Sequence, residues 1–142
     1  MSPQNPTIVP MLTYEDGLAA IAWLAAAFGF EERARLLAPD GSLVHGELTA
    51  GDGVIMLATG PAGYQSPRRH REQCAAAQRW SATPWVINGV LIYVDDVDRH
   101  YERAREAGAV ILSGLEDGGV GRRYRAEDLE GQRWMFLQRS AG

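Results

Sequence analysis

Hydrophobic and polar positions in the first half of the chain follow a strand period, then a helix period. An apolar run over residues 8–14 predicts a strand. The next apolar positions, Ile21, Leu24 and Phe28, recur at helical spacing and predict a helix. Asp16 can cap this helix at its N-terminus, and Gly29 can end it in a left-handed conformation. We therefore predict one strand followed by one amphipathic helix.

Three further strands are predicted after this helix. Asp40-Gly41 favours one hairpin turn and Gly51-Asp52-Gly53 favours another. The segments that these turns separate are rich in strand-forming residues, and they span 30–37, 42–49 and 54–58. The first half is thus predicted to run strand, helix, strand, strand, strand.

The second half repeats this order. Leu12 to Asp16 aligns with Ile92 to Asp96, and each segment leads into a predicted helix that a glycine ends. A strand over 109–113 follows, and then a hairpin whose turn is Asp128-Leu129-Glu130-Gly131. The second arm of this hairpin contains Trp134 to Leu137, a run apolar enough to be buried on both faces. Because a repeated unit usually buries its exposed face on its copy, the repeat predicts two related modules.

A segment of different character separates the two repeats. Ser66 and Pro67 favour the start of one helix running to about Arg79. Its early turns carry a basic run, which we expect to face solvent or an acidic neighbour: Arg68, Arg69, His70 and Arg71. Trp80 and Trp85 lie in an irregular connector and should be buried under a domain, in an interface or over a ligand.

Composition narrows the class of protein. The 142 residues carry a net charge of −4, which disfavours nucleic-acid binding because phosphate contacts require a basic surface. The single cysteine, Cys74, gives no intramolecular disulfide and is expected to be a packed helical thiol. The N-terminal residues 1–6 show no basic leader, and no span suits a membrane, so we expect a cytoplasmic protein.

Several motifs resemble those of the glyoxalase/bleomycin resistance protein/dioxygenase (vicinal oxygen chelate) superfamily, in a glyoxalase-like branch of unassigned function. The matching segments are 20–30, 44–48 with 51–57, 94–98, 107–109 and 128–134. The resemblance implies an α+β fold in which two βαβββ modules form paired curved mixed sheets around a cleft. We expect one domain over 1–142, with module 1 at about 6–60, a helical insertion at about 63–86 and module 2 at about 87–140.

Metal-dependent members of that family hold a divalent ion with four His, Glu or Gln side chains. Alignment on Asp16, Asp95 and Gly131 implies that the four positions are occupied here by Val9, Met56, Gly89 and Met135. None offers an oxygen or imidazole ligand, and a thioether suits copper(I) rather than the ions of this chemistry. We therefore expect no metal and no cofactor, which argues against glyoxalase or dioxygenase activity.

His45 and Glu47 remain the candidate catalytic residues. They lie two apart on a predicted strand and so share a face. An even-length loop at the next turn would place Glu47 beside Met56 or Ala58, on the cavity side, and an odd-length loop would reverse this. Three interpretations stay open: a hydrogen-bonded polar pair, a ligand-binding or acid–base pair, and a partial metal site. Arg133 is expected at the surface, although it could pair with an anion or with Glu47. Solvated ion pairs are expected for the nearby charges Arg122, Arg123, Arg125, Glu127 and Asp128.

The preferred prediction is a metal-independent binder of a small molecule, similar to antibiotic-sequestering members of the family. The expected ligand-binding residues are Thr13, His45, Glu47, Met56, Tyr93, Met135, Trp80 and Trp85. We expect a homodimer, as is common in the family, and no nucleic-acid or membrane partner. One alternative is a lyase, isomerase or dioxygenase-like enzyme using His45 and Glu47, and another is an interaction module that uses the insertion. The identity of the ligand stays open.

Overall fold

The computed structural model of the protein describes residues 5–140, so the extreme N-terminal residues 1–4 considered above lie outside it. Within it, the chain forms two compact units, of which the first ends at Tyr64 and the second begins at Gln65. No helix in the described range is long and apolar enough to cross a membrane.

The first unit is a four-stranded mixed sheet with one helix. Its elements are β1 (Met11–Tyr14), α1 (Gly17–Phe28), β2 (Glu31–Leu37), β3 (Leu43–Ala50) and β4 (Gly53–Thr59). The strand order is β1-β4-β3-β2, with β1 parallel to β4 and the other pairs antiparallel. The order of elements is the predicted one, although β1 begins at Met11 rather than at residue 8. Pro10 has no N–H to donate, and its carbonyl accepts from Met56 N at 3.0 Å just before the strand begins.

Local sequence explains how α1 sits on this sheet. The side chain of Asp16 accepts from the N–H of Ala19, and Gly29 ends the helix with φ 75°, both as predicted. The first helical residue is Gly17, where an added Cβ would lie 2.7 Å from the Leu43 side chain. This close approach lets the helix bury Leu24 and Phe28 on the sheet.

The second unit repeats the architecture after two short helices. Its elements are α2 (Pro67–Gln73), α3 (Ala75–Trp80), β5 (Gly89–Tyr93), α4 (Val97–Glu106), β6 (Val110–Gly118), β7 (Gly121–Glu127) and β8 (Arg133–Arg139). The sheet order is β5-β8-β7-β6, which corresponds strand for strand to that of the first unit. The predicted repeat is therefore confirmed, and the α+β fold consists of two four-stranded mixed sheets with helices.

The predicted single helix from Ser66 to Arg79 is wrong in one respect. Ser66 caps its start by accepting from Arg69 N, as expected. Cys74 then adopts an extended backbone, with φ −134° and ψ 107°, which cannot continue the helical hydrogen-bond ladder. The chain forms two helices instead, and the thiol lies partly exposed at the break rather than inside a helix.

A buried ion cluster links the end of β7 to the start of β8. Glu127 ends β7 with its side chain 0% exposed, and Arg133 opens β8 with 4% exposed. Arg133 Nε donates to Glu127 Oε2 at 3.1 Å, while the two terminal nitrogens of Arg71 donate to both carboxylate oxygens. The expectations that Arg133 lies at the surface and that Glu127 lies in a solvated pair are both wrong. Burial of each charge is tolerated because an opposite charge lies within hydrogen-bond distance.

Arg133 also fixes the connector between α3 and β5. Its terminal N–H groups donate to three backbone oxygens of that segment, the carbonyls of Ser81, Thr83 and Pro84. Arg133 thus adds side-chain donors to the turn-type backbone hydrogen bonds that this irregular segment already makes. This bonding holds the segment leading to Trp85 against the sheet.

The β7–β8 turn is the docking point for α2. Asp128 is fully buried, so the prediction that it forms a solvated ion pair is wrong. Its Oδ1 accepts from the N–H groups of Glu130 and Gln132. Its Oδ2 accepts from Trp134 Nε1 at 3.1 Å, and that indole is buried as predicted. Arg68 donates to the carbonyls of Asp128 and Glu130. Gly131 has φ 90° as predicted, and a Cβ there would lie 2.8 Å from Arg68 N.

The charge state of Glu127 should make part of the stability depend on pH. Burial opposes its ionisation, but the hydrogen bonds and charges of Arg71 and Arg133 outweigh burial and hold the pKa of Glu127 below its usual range. A carboxyl group with a lowered native pKa stabilises the fold above its unfolded pKa. That stabilisation is lost as the pH falls through the lower, native pKa.

We predict that Glu127→Gln lowers the free energy of unfolding by about 3 kcal/mol at pH 7, because two guanidinium groups lose their buried counter-charge. Urea unfolding from pH 7 down to pH 3 measures this. The difference between wild type and variant should shrink as the pH falls below about 4.5. The control is Glu116→Gln, which removes an exposed partner of Arg123 and should change stability by less than about 1 kcal/mol. A difference in unfolding free energy that stays constant with pH would contradict a stabilising role for the Glu127 charge.

Candidate functional site

The face of the first sheet opposite α1 brings together most of the predicted ligand-binding residues of that unit. Glu47 pairs with Met56 across β3 and β4, as predicted. On the parallel side, Met11 pairs with Met56, and Thr13 pairs with Ala58. Because residues in register share a face, Thr13, Glu47 and Met56 lie on one side of the sheet, and His45 joins them two positions before Glu47.

His45 and Glu47 form a direct polar contact. His45 Nε2 lies 2.7 Å from Glu47 Oε2, and Arg33 Nε donates to the other carboxylate oxygen at 2.7 Å. An irregularity in the β2–β3 register between Glu32 and Ala34 accompanies the placement of Arg33 beside Glu47. The hydrogen bond with His45, and then that with Arg33, hold the pKa of Glu47 below its usual range. Glu47 is therefore ionised at neutral pH, and it orients an imidazole whose side chain is 41% exposed.

An apolar cavity of about 200 Å³ lies on this face of the first unit. Its wall contains three of the predicted residues, Thr13, His45 and Met56, and otherwise aliphatic groups: Met11, Leu12, Leu57 and Ala58. Glu47 does not line the cavity and contacts it only through its hydrogen bond with His45. A molecule in this cavity would meet one imidazole, one hydroxyl-bearing residue and a largely hydrocarbon and thioether surface.

The second unit has its own cavity, of about 170 Å³. Met135 and Trp85, both predicted, line it together with backbone or side-chain atoms of Pro84, Ile87, Gly89, Val90, Leu91, Leu112, Arg125, Arg133 and Trp134. Trp85 stands at its edge with 71% of its surface exposed. The expected burial of this tryptophan under a domain does not occur in the single chain, whereas its burial in an interface or over a ligand stays a prediction.

The structure separates two other predicted residues from that cavity. Trp80 ends α3 with 46% of its surface exposed and is not in the wall. Tyr93 lines a different depression with Asp95 and Gln138, and the guanidinium of Arg139 lies 3.8 Å from the centre of its ring. Sequence reasoning also assigned no role in binding to Arg125, one of several arginines in a short run. Only the strand register distinguishes it, by pairing it with Met135.

The positions that the resemblance implies for metal ligands carry side chains that suit a divalent ion poorly. Met56 and Met135 lie on β4 and β8, which hold matching places in the two sheets, and each lines a cavity. Thioether sulfur is a poor ligand for hard or borderline ions. At Gly89, an added Cβ would lie 2.9 Å from the backbone oxygen of Arg133, so no side chain can be placed there without a shift. Over residues 5–140, no group of three or more His, Cys, Asp or Glu side chains could hold a metal ion.

We predict that Gly89→Ala destabilises the protein by about 1–3 kcal/mol, because its methyl group would press on the β8 backbone. Gly114→Ala is the matched control, since a Cβ at that strand position meets nothing within 4 Å. It should be neutral or slightly stabilising. Thermal unfolding of both variants tests the contact, and equal melting temperatures would refute it.

The comparisons with known proteins agree with this architecture. The chain matches the sequence model of the Glyoxalase/Bleomycin resistance protein/Dioxygenase superfamily over residues 8–136. It therefore belongs to that superfamily. An uncharacterized protein of Mycobacterium bovis is 31% identical over 135 residues, which cover 94% of this chain and 84% of that protein. The match to an uncharacterized Mycobacterium tuberculosis protein has the same identity and covers 75% of it.

Solved structures give the same result for the fold. TioX from Micromonospora sp. ML1 is 31% identical, with a TM-score of 0.68, and the match covers 96% of this chain and 98% of TioX. The bleomycin-binding protein of Streptomyces verticillus, solved with copper(II)-bleomycin, has 18% identity and a TM-score of 0.59 over 94% of this chain and 96% of that one. The fosfomycin resistance protein FosX of Listeria monocytogenes, solved with Mn(II) and a dihydroxypropylphosphonic acid, has 15% identity and a TM-score of 0.61 over 94% and 88%. At these lower identities the likeness concerns the fold alone.

Proposed function

We propose that this protein binds a small, partly aromatic molecule without the help of a metal ion, in the manner of an antibiotic-sequestering member of its superfamily. One observation carries the proposal. Met56 and Met135 stand where the family's metal ligands are expected, and each forms part of the wall of a cavity. These positions thus offer a thioether packing surface where a metalloenzyme would offer ligands for an ion.

The chemistry of the walls supports binding over catalysis. Methionine side chains are flexible and polarisable, so they adapt to ligands of varied shape. Few polar groups converge in the first unit's cavity, where Thr13 and His45 accompany the apolar side chains. A few placed polar groups in a mostly apolar pocket are typical of small-molecule sites. In this proposal His45, oriented by Glu47, and Thr13 set the ligand's orientation.

The exposed tryptophans fit the same proposal. Trp85 borders the second unit's cavity and could cover part of a ligand, whereas Trp80 and Tyr93 would act outside it.

We further propose that the chain is a single domain of two modules with an insertion at about 63–86, that it works in the cytoplasm, and that it forms a homodimer. Light scattering during size-exclusion chromatography tests the last point.

We predict that a panel of aromatic antibiotics with metal-free bleomycin contains at least one compound that quenches the tryptophan fluorescence saturably. Chelator-treated and untreated protein should give the same dissociation constant. Met56→Glu should weaken binding at least about tenfold for a ligand in the first unit's cavity, because it places a charge in an apolar wall. Met56→Leu is the control and should bind like wild type. A flat titration across the panel, or binding only after metal addition, would refute the proposal.

A second candidate is an acid–base enzyme, which the short contact between His45 and Glu47 favours. With Nε2 held by the carboxylate, the imidazole can present Nδ1 to a substrate in the cavity as a proton acceptor. Arg33 would keep Glu47 in position.

Two measurements separate this enzyme from the binder. The binder predicts that the purified protein contains well under one equivalent of Ni, Zn, Mn or Fe per chain by elemental analysis. It also predicts that bound ligands are recovered chemically unchanged. One equivalent of metal that disappears in His45→Ala, or a converted ligand whose formation stops in His45→Ala but not in Thr49→Ala, would establish the enzyme instead.

A further inference from the structure

We propose that the cavity of the second unit is an anion site for a planar ligand, and that Arg125 binds the ligand's carboxylate or an equivalent negative group. This inference rests on the proposed binding function and adds to it the charge and size of the group that this cavity takes. It makes Arg125 a specificity-determining residue.

Arg125 is the cation in this cavity wall whose charge no carboxylate neutralises. Its Nε donates to Met135 Sδ at 3.4 Å, and among residues 5–140 it makes no ion pair with an acid. No buried side-chain nitrogen or oxygen in the described range lacks a hydrogen-bond partner. The terminal nitrogens of Arg125, which donate to no protein group, are therefore accessible from the cavity or from solvent.

The other arginine of the wall cannot take this role. Arg133 donates to Glu127 and to the backbone carbonyls of the connector. Its charge is compensated inside the protein. Moving it toward a ligand would leave the connector carbonyls without their hydrogen-bond donor. Arg125 presents the two terminal nitrogens of a planar fork, which suits a carboxylate or phosphate group.

Comparison of the two units shows that this arrangement is particular to the second. Glu47 pairs with Met56 in the first unit as Arg125 pairs with Met135 in the second. The carboxylate of Glu47 is compensated by Arg33 and His45, whereas the guanidinium of Arg125 contacts a neutral sulfur. The thioether orients the arginine without neutralising it. A positive charge thus stands beside Met135, the position at which the family alignment would place a metal ligand.

The rest of the cavity defines the shape of the ligand. Its volume of about 170 Å³ is close to that of an engineered protein cavity of about 150 Å³ that binds benzene, so one six-membered ring with a small substituent fits. Ile87, Leu91 and Leu112 supply apolar contacts, and the ring of Trp85 at the edge can stack. A one-ring aromatic anion, free or as part of a larger ligand, matches both the walls and the charge.

The test compares benzoate with its neutral analogue benzamide in two-dimensional ¹H–¹⁵N NMR titrations of the full chain. Benzoate should shift the indole N–H of Trp85 and the amides of Gly89 and Leu91, with a dissociation constant about tenfold lower than that of benzamide. Arg125→Met should remove this advantage, so that benzoate and benzamide bind with similar affinity. Arg125→Lys, which keeps the charge and loses the fork, should retain part of it.

Arg123→Met is the matched control. Arg123 lies two residues earlier on the same strand and face, pairs with Glu116 and does not line the cavity, so its variant should bind both probes like wild type. Equal binding of benzoate and benzamide at the cavity, unchanged in Arg125→Met, would overturn the anion site and leave the proposed binding function standing. Absence of any cavity shift with either probe would also overturn it. The antibiotic titration described above then judges the binding function separately.

Discussion

The second unit depends on the buried ion cluster of Glu127, Arg133 and Arg71. Glu127 is placed by a strand, Arg133 by the neighbouring strand and Arg71 by a helix more than fifty residues earlier in the chain. A buried charge is strongly unfavourable unless each partner is present, so the cluster requires that these elements come together. Through the carbonyls that Arg133 binds, the same cluster determines where the connector and Trp85 lie. Fold and candidate site are linked by this one interaction.

The sequence is informative wherever structure follows from local chemistry. Asp16, Gly29 and the turn at Asp128–Gly131 do what their residue types favour, and the repeat of these signals along the chain is enough to predict two related modules. Register across the Gly51-Asp52-Gly53 turn also follows from loop length and places Glu47 beside Met56.

Features that depend on distant partners escape such reasoning. The residue type alone predicts a surface position for Arg133, and only the carboxylate of Glu127 and the approach of Arg71 make its burial favourable. Arg125 belongs to a run of similar arginines, in which sequence does not indicate which side chains find acids. The steric limit at Gly89 comes from the backbone of β8, 44 residues away in the chain, and no local pattern reports it.

The matching strand orders of the two sheets have a consequence for how such a protein can diverge. Each unit has its own sheet and its own helix packed on that sheet, and each of the two cavities described above is lined by residues of one unit. Glu47 and Arg125 illustrate the result, since register-equivalent positions have acquired opposite charges on the same framework. A duplicated module of this kind lets selection alter one cavity at a time, so new ligand preferences can arise in small steps while the fold is preserved.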